Sequence, residues 1–135
     1  MTIYPIPKGG PADQPDAITT GPDGNLWFTI IGSDTGSIGS ITPSGAISLG
    51  VITFFAATMT VFQPKGITTG PDGMLWIANT GGSTLARMTP SGVLTESYAG
   101  ADHPEDITTG PDGDLWFTTE PLANGDIGRF APKPG

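Results

Sequence analysis

The segment around the single histidine of this 135-residue chain carries the residue types best suited to proton transfer. His103, Glu105 and Asp106 stand together in the stretch "HPED". An imidazole titrates near neutral pH, and neighbouring carboxylates can exchange protons or join it in holding a metal ion. The segment is therefore the candidate for general acid–base chemistry. The alternative interpretation is a solvated acidic loop, because one histidine among acids is common on an acidic surface.

Other patterns with chemical potential are better explained as turns. "DGD" at 112–114 and "NGD" at 124–126 lack the remaining ligand spacing and the closing glutamate of an EF-hand. The glycine-rich stretches 32–37 and 80–84 lack the helix or the lysine that a phosphate-binding loop needs. The chain has no cysteine, so it offers neither a thiolate nucleophile nor a disulfide framework. We predict no metal site, and no Ser-His-Asp set can be assembled.

Composition and charge exclude some classes of binding partner. The formal net charge is −8 and the five basic residues are scattered, which argues against binding to nucleic acid. The longest apolar run, 49–62, is too short to cross a bilayer as a helix and contains three threonines. The first residues lack the organisation of a signal peptide. We expect a soluble protein that binds neither nucleic acid nor a membrane, with a cytoplasmic location as the default.

A seven-residue phrase occurs three times and indicates the elements that must position these side chains. "GPDGNLW" at 21–27 returns as "GPDGMLW" at 70–76 and "GPDGDLW" at 110–116. The tryptophans at 27, 76 and 116 are 49 and 40 residues apart, a period typical of β-propeller blades built from four short strands. The predicted fold class is therefore all-β, with three blades of antiparallel strands in the chain.

Turn chemistry within the phrase predicts a hairpin. Proline at the second position favours a type I turn, and Gly24 supplies the left-handed residue that returns the chain. The flanking "ITT" and "LWF" become antiparallel neighbours. Leu26, Trp27 and Phe28 are apolar in succession, so both faces of their strand must be covered. We expect Trp27 to face one neighbouring blade, and Leu26 and Phe28 to face the other.

The remaining strands divide the chain into blades. Blade 1 is predicted at 16–62, blade 2 at 65–99, and blade 3, without a fourth strand, at 105–131. Residues 2–7 are predicted to be the fourth strand that completes blade 3 of a partner chain. The long apolar link at 48–62 is interpreted as a lengthened fourth strand and loop that caps an outer edge; the alternative is a rim contact between subunits.

Three blades cannot surround an axis, because propellers close with about four to eight. An open arc would leave an apolar blade face bare at each end, which soluble monomers seldom tolerate. Two chains supply six blades, so we predict a homodimer that forms a closed ring, with strand exchange at the seams. The alternative is a piece of a longer propeller, which would form larger or mixed assemblies.

The extended phrase "ITTGPDGNLWFT", followed by "IGSITPSG" and "IGRFAP", resembles the repeat of the streptogramin B lyase (virginiamycin B lyase) family, related to NHL-type propellers. The resemblance covers nearly the whole chain. It implies a seven-bladed chain that opens a cyclic depsipeptide by elimination, using Mg²⁺ and a histidine with a nearby glutamate at the channel mouth. Where the family has such histidines, this chain has Asp16, Lys65 and Glu105. The family's glutamate after "WFT" is matched only approximately, by Glu120.

Two classes of function follow from these observations. The first is a self-assembling, non-catalytic scaffold or binding module without a cofactor, whose small-molecule ligand would bind at the channel mouth. The side chains expected to line that mouth are Asp16, Lys65, His103, Glu105 and Asp106. The alternative is a Mg²⁺-dependent carbon–oxygen lyase of the streptogramin B type, with His103, Glu105 or Glu120 as acid or base.

A third alternative is a carbohydrate-binding module. Such a module needs exposed aromatic side chains on its loop face. Tyr4 and Tyr98 are the candidates.

Overall fold

The computed structural model describes residues 1–6, 14–31, 36–49, 53–54, 63–120 and 124–132, which form three β-sheets and one short helical turn. The first sheet contains β1 (Gln14–Thr20), β2 (Leu26–Ile31), β3 (Ser37–Ile41) and β4 (Ile47–Leu49). The second contains β5 (Thr53–Phe54), β6 (Pro64–Thr69), β7 (Leu75–Asn79), β8 (Thr84–Met88) and β9 (Val93–Ala99), with a 3₁₀ turn (Thr80–Gly82) between β7 and β8. The third contains β10 (Pro104–Thr109), β11 (Leu115–Thr119) and β12 (Ile127–Phe130).

Apart from β5, each sheet is an antiparallel meander that begins at its inner edge. The innermost strands of the three sheets, β1, β6 and β10, lie side by side. The hydroxyl of Thr69 donates to the carbonyl of Thr20 at 2.6 Å, and the hydroxyl of Thr109 donates to the carbonyl of Thr69 at 2.7 Å. This arrangement is that of propeller blades around a common inner edge. It confirms the predicted all-β propeller class.

The repeated phrase forms the predicted hairpin turn. Gly24, Gly73 and Gly113 have φ of +84°, +76° and +85°, a backbone conformation that glycine adopts without steric cost. The aspartate of the turn does more than bind the local backbone. The indole N–H donates to Asp23 at 3.1 Å in the first sheet, to Asp72 at 3.1 Å in the second, and to Asp112 at 3.2 Å in the third.

The first glycine of the phrase has a packing role. A methyl group on Gly21 would lie 2.4 Å from Cδ1 of Trp27, so only glycine lets the indole lie against the turn. Gly70 and Gly110 stand in the same relation to their tryptophans, with 2.4 Å and 2.5 Å. The phrase therefore encodes a turn, the orientation of an indole ring, and the space that the ring needs.

The core lies between the sheets, in two clusters. Trp27 packs against Ile67, Leu75 and Ile77 of the second sheet. Trp76 packs in the same way against the third sheet, in a cluster whose other buried members are Ala78, Leu85, Ala101, Ile107 and Leu115. Trp27 and Trp76 thus face the following sheet, whereas the residues beside Trp76 and beside Trp116 face the preceding one. This is the alternation that three apolar residues in succession predicted.

The paired residues of the second and third strands compensate for each other in size. Phe28 pairs with Gly39, Ile77 with Ala86, and Phe117 with Gly128. A methyl group on Gly128 would lie 2.1 Å from Cζ of Phe117. The larger side chain therefore occurs where its cross-strand neighbour has no side chain or only a methyl group, which leaves room for it between the sheets.

Two segments are arranged differently from the simplest blade. Strand β5 pairs in parallel with β9, with Thr53 opposite Val93, so this part of the long link joins the outer edge of the second sheet. The outer edge of β9 offers unpaired backbone groups, and a long link can reach it. Residues 48–49 and 53–54 are described; Phe55, Phe62 and the rest of that link lie outside the described residues.

Residues 1–6 form no strand in the described chain. They lie over the first sheet on the side away from the second sheet, where Tyr4 approaches Gly45 so closely that a methyl group there would be 2.3 Å from its Cε1. Pro7 lies outside the described residues. The exchange of this segment between two chains stays a prediction. Of the parts described, no helix has the length and apolarity to cross a membrane.

Candidate functional site at the channel mouth

The inner strands begin at one edge of the arc and bring three equivalent side chains into a row. Asp16, Lys65 and Glu105 each stand two residues before the isoleucine of "ITT" in β1, β6 and β10. Lys65 Nζ lies 3.0 Å from Glu105 Oε1, and both side chains are about one-third exposed. An exposed ion pair of this kind contributes about 0–1 kcal/mol. The row therefore links the second and third sheets and leaves Asp16 at the open end.

The sheets approach each other closely beside this row. A methyl group on Gly66 would lie 2.8 Å from the Cα of Asp106 and 2.9 Å from the amide nitrogen of Ile107. The contact is between two backbones, so a side chain here would push the sheets apart. Gly66 thus sets the spacing of the inner edge between the second and third sheets.

His103 is held at the start of β10 in a left-handed conformation, with φ of 47°. Its Nδ1 lies 2.7 Å from Oδ1 of Asp102, and about half of its side chain is exposed. Its carbonyl accepts a hydrogen bond from the amide of Glu120 at 3.0 Å. The fold therefore brings the backbones of His103 and Glu120 together beside the start of β10.

The carboxylates next to His103 have other partners. Glu105 forms an ion pair with Lys65, whereas Asp106 Oδ1 accepts a hydrogen bond from the amide of Ile107 at 2.9 Å. In the described chain no group of three or more His, Asp or Glu side chains is placed to hold a metal ion. The described residues therefore provide no preformed set of protein ligands for Mg²⁺.

A partly buried charged network lies at the other end of the strands of the second sheet, beside the turn between β6 and β7. Arg87 Nε lies 3.0 Å from Asp72 Oδ2, and Arg87 NH1 lies 2.9 Å from Glu96 Oε1. The guanidinium also stands 5.9 Å from the ring centroid of Trp76. Tyr98 donates its phenolic hydrogen to Glu96; burial raises the pKa of this phenol, and the hydrogen bond to Glu96 raises it further.

The third sheet has an equivalent arginine and tryptophan, but they are more exposed to solvent. Arg129 Nε lies 2.5 Å from Asp114 Oδ2, and its guanidinium is 5.6 Å from the ring centroid of Trp116. The hydrogen bond from the Trp116 indole lowers the pKa of Asp112. The hydrogen bond that Arg129 donates to Asp114 raises the pKa of Arg129. Sequence analysis missed both networks. The available signal was an arginine directly across from a tryptophan in two of three repeats.

The tyrosines considered for carbohydrate contact lie in different places. Tyr98 stacks on Trp76 at 5.6 Å and meets Phe130 at 4.8 Å, inside the contact between the second and third sheets. Tyr4 belongs to the segment over the first sheet. The two side chains therefore do not form a shared aromatic platform.

Apolar surface remains at both ends of the arc. We name the side of the first sheet away from the second the first outer face, and the side of the third sheet away from the second the third outer face. Ile18 on the first outer face is 63% exposed, whereas the equivalent Ile67 and Ile107 are each 4% exposed. Trp116 on the third outer face is half-buried, whereas Trp27 and Trp76 are buried.

Three antiparallel sheets around a shared inner edge define a β-propeller arc. The model of the Virginiamycin B lyase family matches residues 1–134, so this chain belongs to that family. The resemblance stated from the repeat is thereby confirmed. A search among curated proteins finds no significant match.

Solved structures agree with the family. A catalytically inactive virginiamycin B lyase from Staphylococcus aureus with quinupristin is 34% identical, with a TM-score of 0.67, over 94% of this chain and 43% of that one. A streptogramin B lyase is 31% identical, with a TM-score of 0.67, over 97% of this chain and 44% of that one. A putative gluconolactonase, 17% identical with a TM-score of 0.62 over 94% of this chain and 50% of that one, shares the fold. This chain spans less than half the length of both lyases.

Proposed function

We propose that this chain is a self-assembling propeller module that closes a six-bladed ring with a second copy, as a scaffold or binding module whose small-molecule ligand sits at the channel mouth. The observation that carries the proposal is the exposure of Ile18, whose two equivalents are buried between sheets. The first outer face has the residues of a blade contact but lacks the neighbouring blade. The third outer face has the matching tryptophan.

The repeat specifies how the two outer faces would meet. Trp27 packs against Met88 of the second sheet, and Trp76 packs against Phe130 of the third. Both partners pair with the leucine of their own "LW" dipeptide, as Ile41 does in the first sheet. Trp116 would therefore pack against Ile41 of the second copy.

Hydrogen bonds extend across the seam by the same equivalence. The hydroxyl of Thr69 reaches back to the carbonyl of Thr20, so the hydroxyl of Thr20 would reach the carbonyl of Thr109 in the second copy. Thr29 accepts the amide of Ala17 and donates to the carbonyl of Lys65 at 2.8 Å. Thr118 similarly accepts the amide of Asp106, and its hydroxyl would donate to the carbonyl of Asp16 in the second copy.

The experiment is a measurement of mass in solution. Light scattering at micromolar concentration should give twice the 13.8 kDa of one chain. Ile18→Lys places a charge in the seam and should give a folded monomer, because an unpaired charge is costly to bury. Ser97→Lys is the matched control, since residue 97 is exposed on β9 of the second sheet. A monomeric wild-type chain would refute the ring.

The lyase alternative is favoured by a different observation. The solved lyase with quinupristin is 34% identical to this chain over nearly all of it, and His103 and Glu120 are cross-strand neighbours. The test is incubation of this chain with quinupristin and Mg²⁺, followed by mass spectrometry of the compound. Ring opening that is lost in His103→Ala supports a lyase. No opening by the wild-type chain supports the non-catalytic module.

A further inference from the structure

The first outer face is covered by the chain's own residues 1–6, although ring closure needs this face. Thr2, Ile3, Tyr4 and Ile6 stand across a cavity of about 350 Å³ from the sheet. The sheet side of the cavity is formed by Ile18, Phe28, Ile41 and Ile47, with the residues at the start of β1. The segment therefore occupies the place where the third sheet of a second copy would dock.

We propose that residues 1–6 are a displaceable cover that competes with the second copy for the first outer face and so regulates assembly. The inference rests on the proposed ring. The competing surface is the third outer face of another molecule of this chain, which would contact the first outer face through Trp116. The cover must leave each seam before the seam closes.

The cover is attached less firmly than a blade is. Within the described chain no hydrogen bond joins residues 1–6 to the sheet, and these residues add no strand to it. The contacts between sheets, in contrast, include the hydroxyl-to-carbonyl bonds of Thr29, Thr69 and Thr109. A second copy would add such bonds at the first outer face, whereas the cover supplies none there.

Packing under the cover is incomplete. Well-packed interiors contain few voids larger than a water molecule, and the lining of a void loses contacts on one side. The cavity of about 350 Å³ is open to solvent, so its lining lacks contacts on the solvent side, and Ile18 stays 63% exposed beside it. The equivalent contact between the second and third sheets buries Ile107 to 4% exposure. Docking of a blade would therefore replace a loose contact with a close one.

The cover nevertheless shields the face in the lone chain. Phe28 is 5% exposed although no blade lies against it. Ile3 is 74% exposed and Tyr4 is 46% exposed, so the cover itself turns apolar surface to solvent. The segment reduces the exposed apolar area without removing it, as expected of a segment that covers the face reversibly.

The test compares the dimer dissociation constant of the full chain with that of a variant lacking residues 2–6. If the cover is in place in about nine-tenths of lone chains, each seam is weakened about tenfold, and a ring with two seams about a hundredfold. The deletion should therefore tighten the dimer by up to that factor, measured by sedimentation with circular dichroism as a folding check. Tyr4→Ser with Ile6→Ser should act in the same direction and keeps the chain at full length.

A peptide supplied in trans completes the test. A synthetic peptide of residues 1–6 at high concentration should loosen the dimer of the deleted chain, and a peptide with serine at positions 4 and 6 should not. An unchanged dissociation constant in both variants overturns the cover while leaving the ring intact. A weaker dimer after deletion also overturns it and favours strand donation by residues 2–7. If neither the full nor the deleted chain dimerises, the proposed ring fails first.

Discussion

The second and third sheets have nearly the same motif and differ in what surrounds them. Trp76 is buried and Arg87 keeps 11% of its side chain exposed, because sheets lie on both sides. Trp116 is half-buried and 59% of the Arg129 side chain is exposed, because the third outer face has no neighbour in the described chain. The turn, the indole hydrogen bond and the cation–π contact are the same in both. Local geometry thus follows from the motif, and burial follows from the neighbour.

The largest expected difference concerns the tryptophans. Trp76→Ala should lower the free energy of unfolding by about 3–5 kcal/mol, because a large buried side chain is lost and a cavity remains. Trp116→Ala should cost the lone chain roughly 1 kcal/mol, since less apolar surface is removed from contact. Urea unfolding of each variant, at a protein concentration below the dimer dissociation constant, measures both losses. Equal losses would show that the two sheets are equally covered.

The turn aspartates should differ next most. Asp72→Ala leaves the buried Arg87 without one carboxylate and the Trp76 indole without its acceptor, which should cost on the order of 3 kcal/mol. Asp112→Ala in the third sheet should cost clearly less, because Arg129 and Trp116 are accessible to water. The same unfolding measurement applies. A larger loss at residue 112 than at residue 72 would contradict the assignment of burial.

At alkaline pH the stability of the chain should depend on the ionisation of Tyr98, in the second sheet. The pKa of its phenol is raised above 10.0 in the folded chain, first by burial and then by the hydrogen bond to Glu96. The fold favours the neutral phenol, so this contribution is complete below pH 10.0 and is lost as the pH rises through the folded-state pKa. Tyr98→Phe should therefore lose less stability than wild type in this range. Parallel pH curves for the two proteins would refute the raised pKa.

The smallest effect is expected at the channel mouth. In the proposed ring Glu105 would stand beside Asp16 of the second copy, where two like charges meet. Asp16→Lys would reproduce the pairing of Lys65 with Glu105, and an exposed pair is worth about 0–1 kcal/mol, so the dimer should tighten by up to about fivefold at each seam. Sedimentation at low and at 1 M salt measures the gain, which screening should remove at high salt. A weaker dimer at low salt would place Asp16 elsewhere.

The repeat made the architecture predictable. Periodic glycine and proline turns specify hairpins through local backbone chemistry, and three apolar residues in succession specify a strand covered on both faces. The hydrogen bond from indole to aspartate was not predicted, although its four-residue spacing is the same in all three copies. It depends on the direction of two side chains around a turn.

The candidate site was less predictable. His103, Glu105 and Asp106 are adjacent in sequence, yet they contact Asp102, Lys65 and the backbone of Ile107 in turn. His103 precedes β10 in a left-handed conformation, and the pairing of β10 with β11 shifts register between Pro104 and Ile107, so adjacency in sequence does not produce a cluster. The neighbour of His103 is Glu120, from the next strand, and this pairing required the register of β10 and β11.

By itself the sequence determined the hairpins, the number of blades and the face to which each tryptophan points, because these depend on turn residues and on the two-residue period of a strand. Only the tertiary structure decided that β5 joins the second sheet, that residues 1–6 lie over the first outer face, and that the charged network is buried in one sheet and open in the next. These features depend on which surfaces meet across long stretches of chain. Such contacts are set by packing and solvent exclusion, which no local pattern contains.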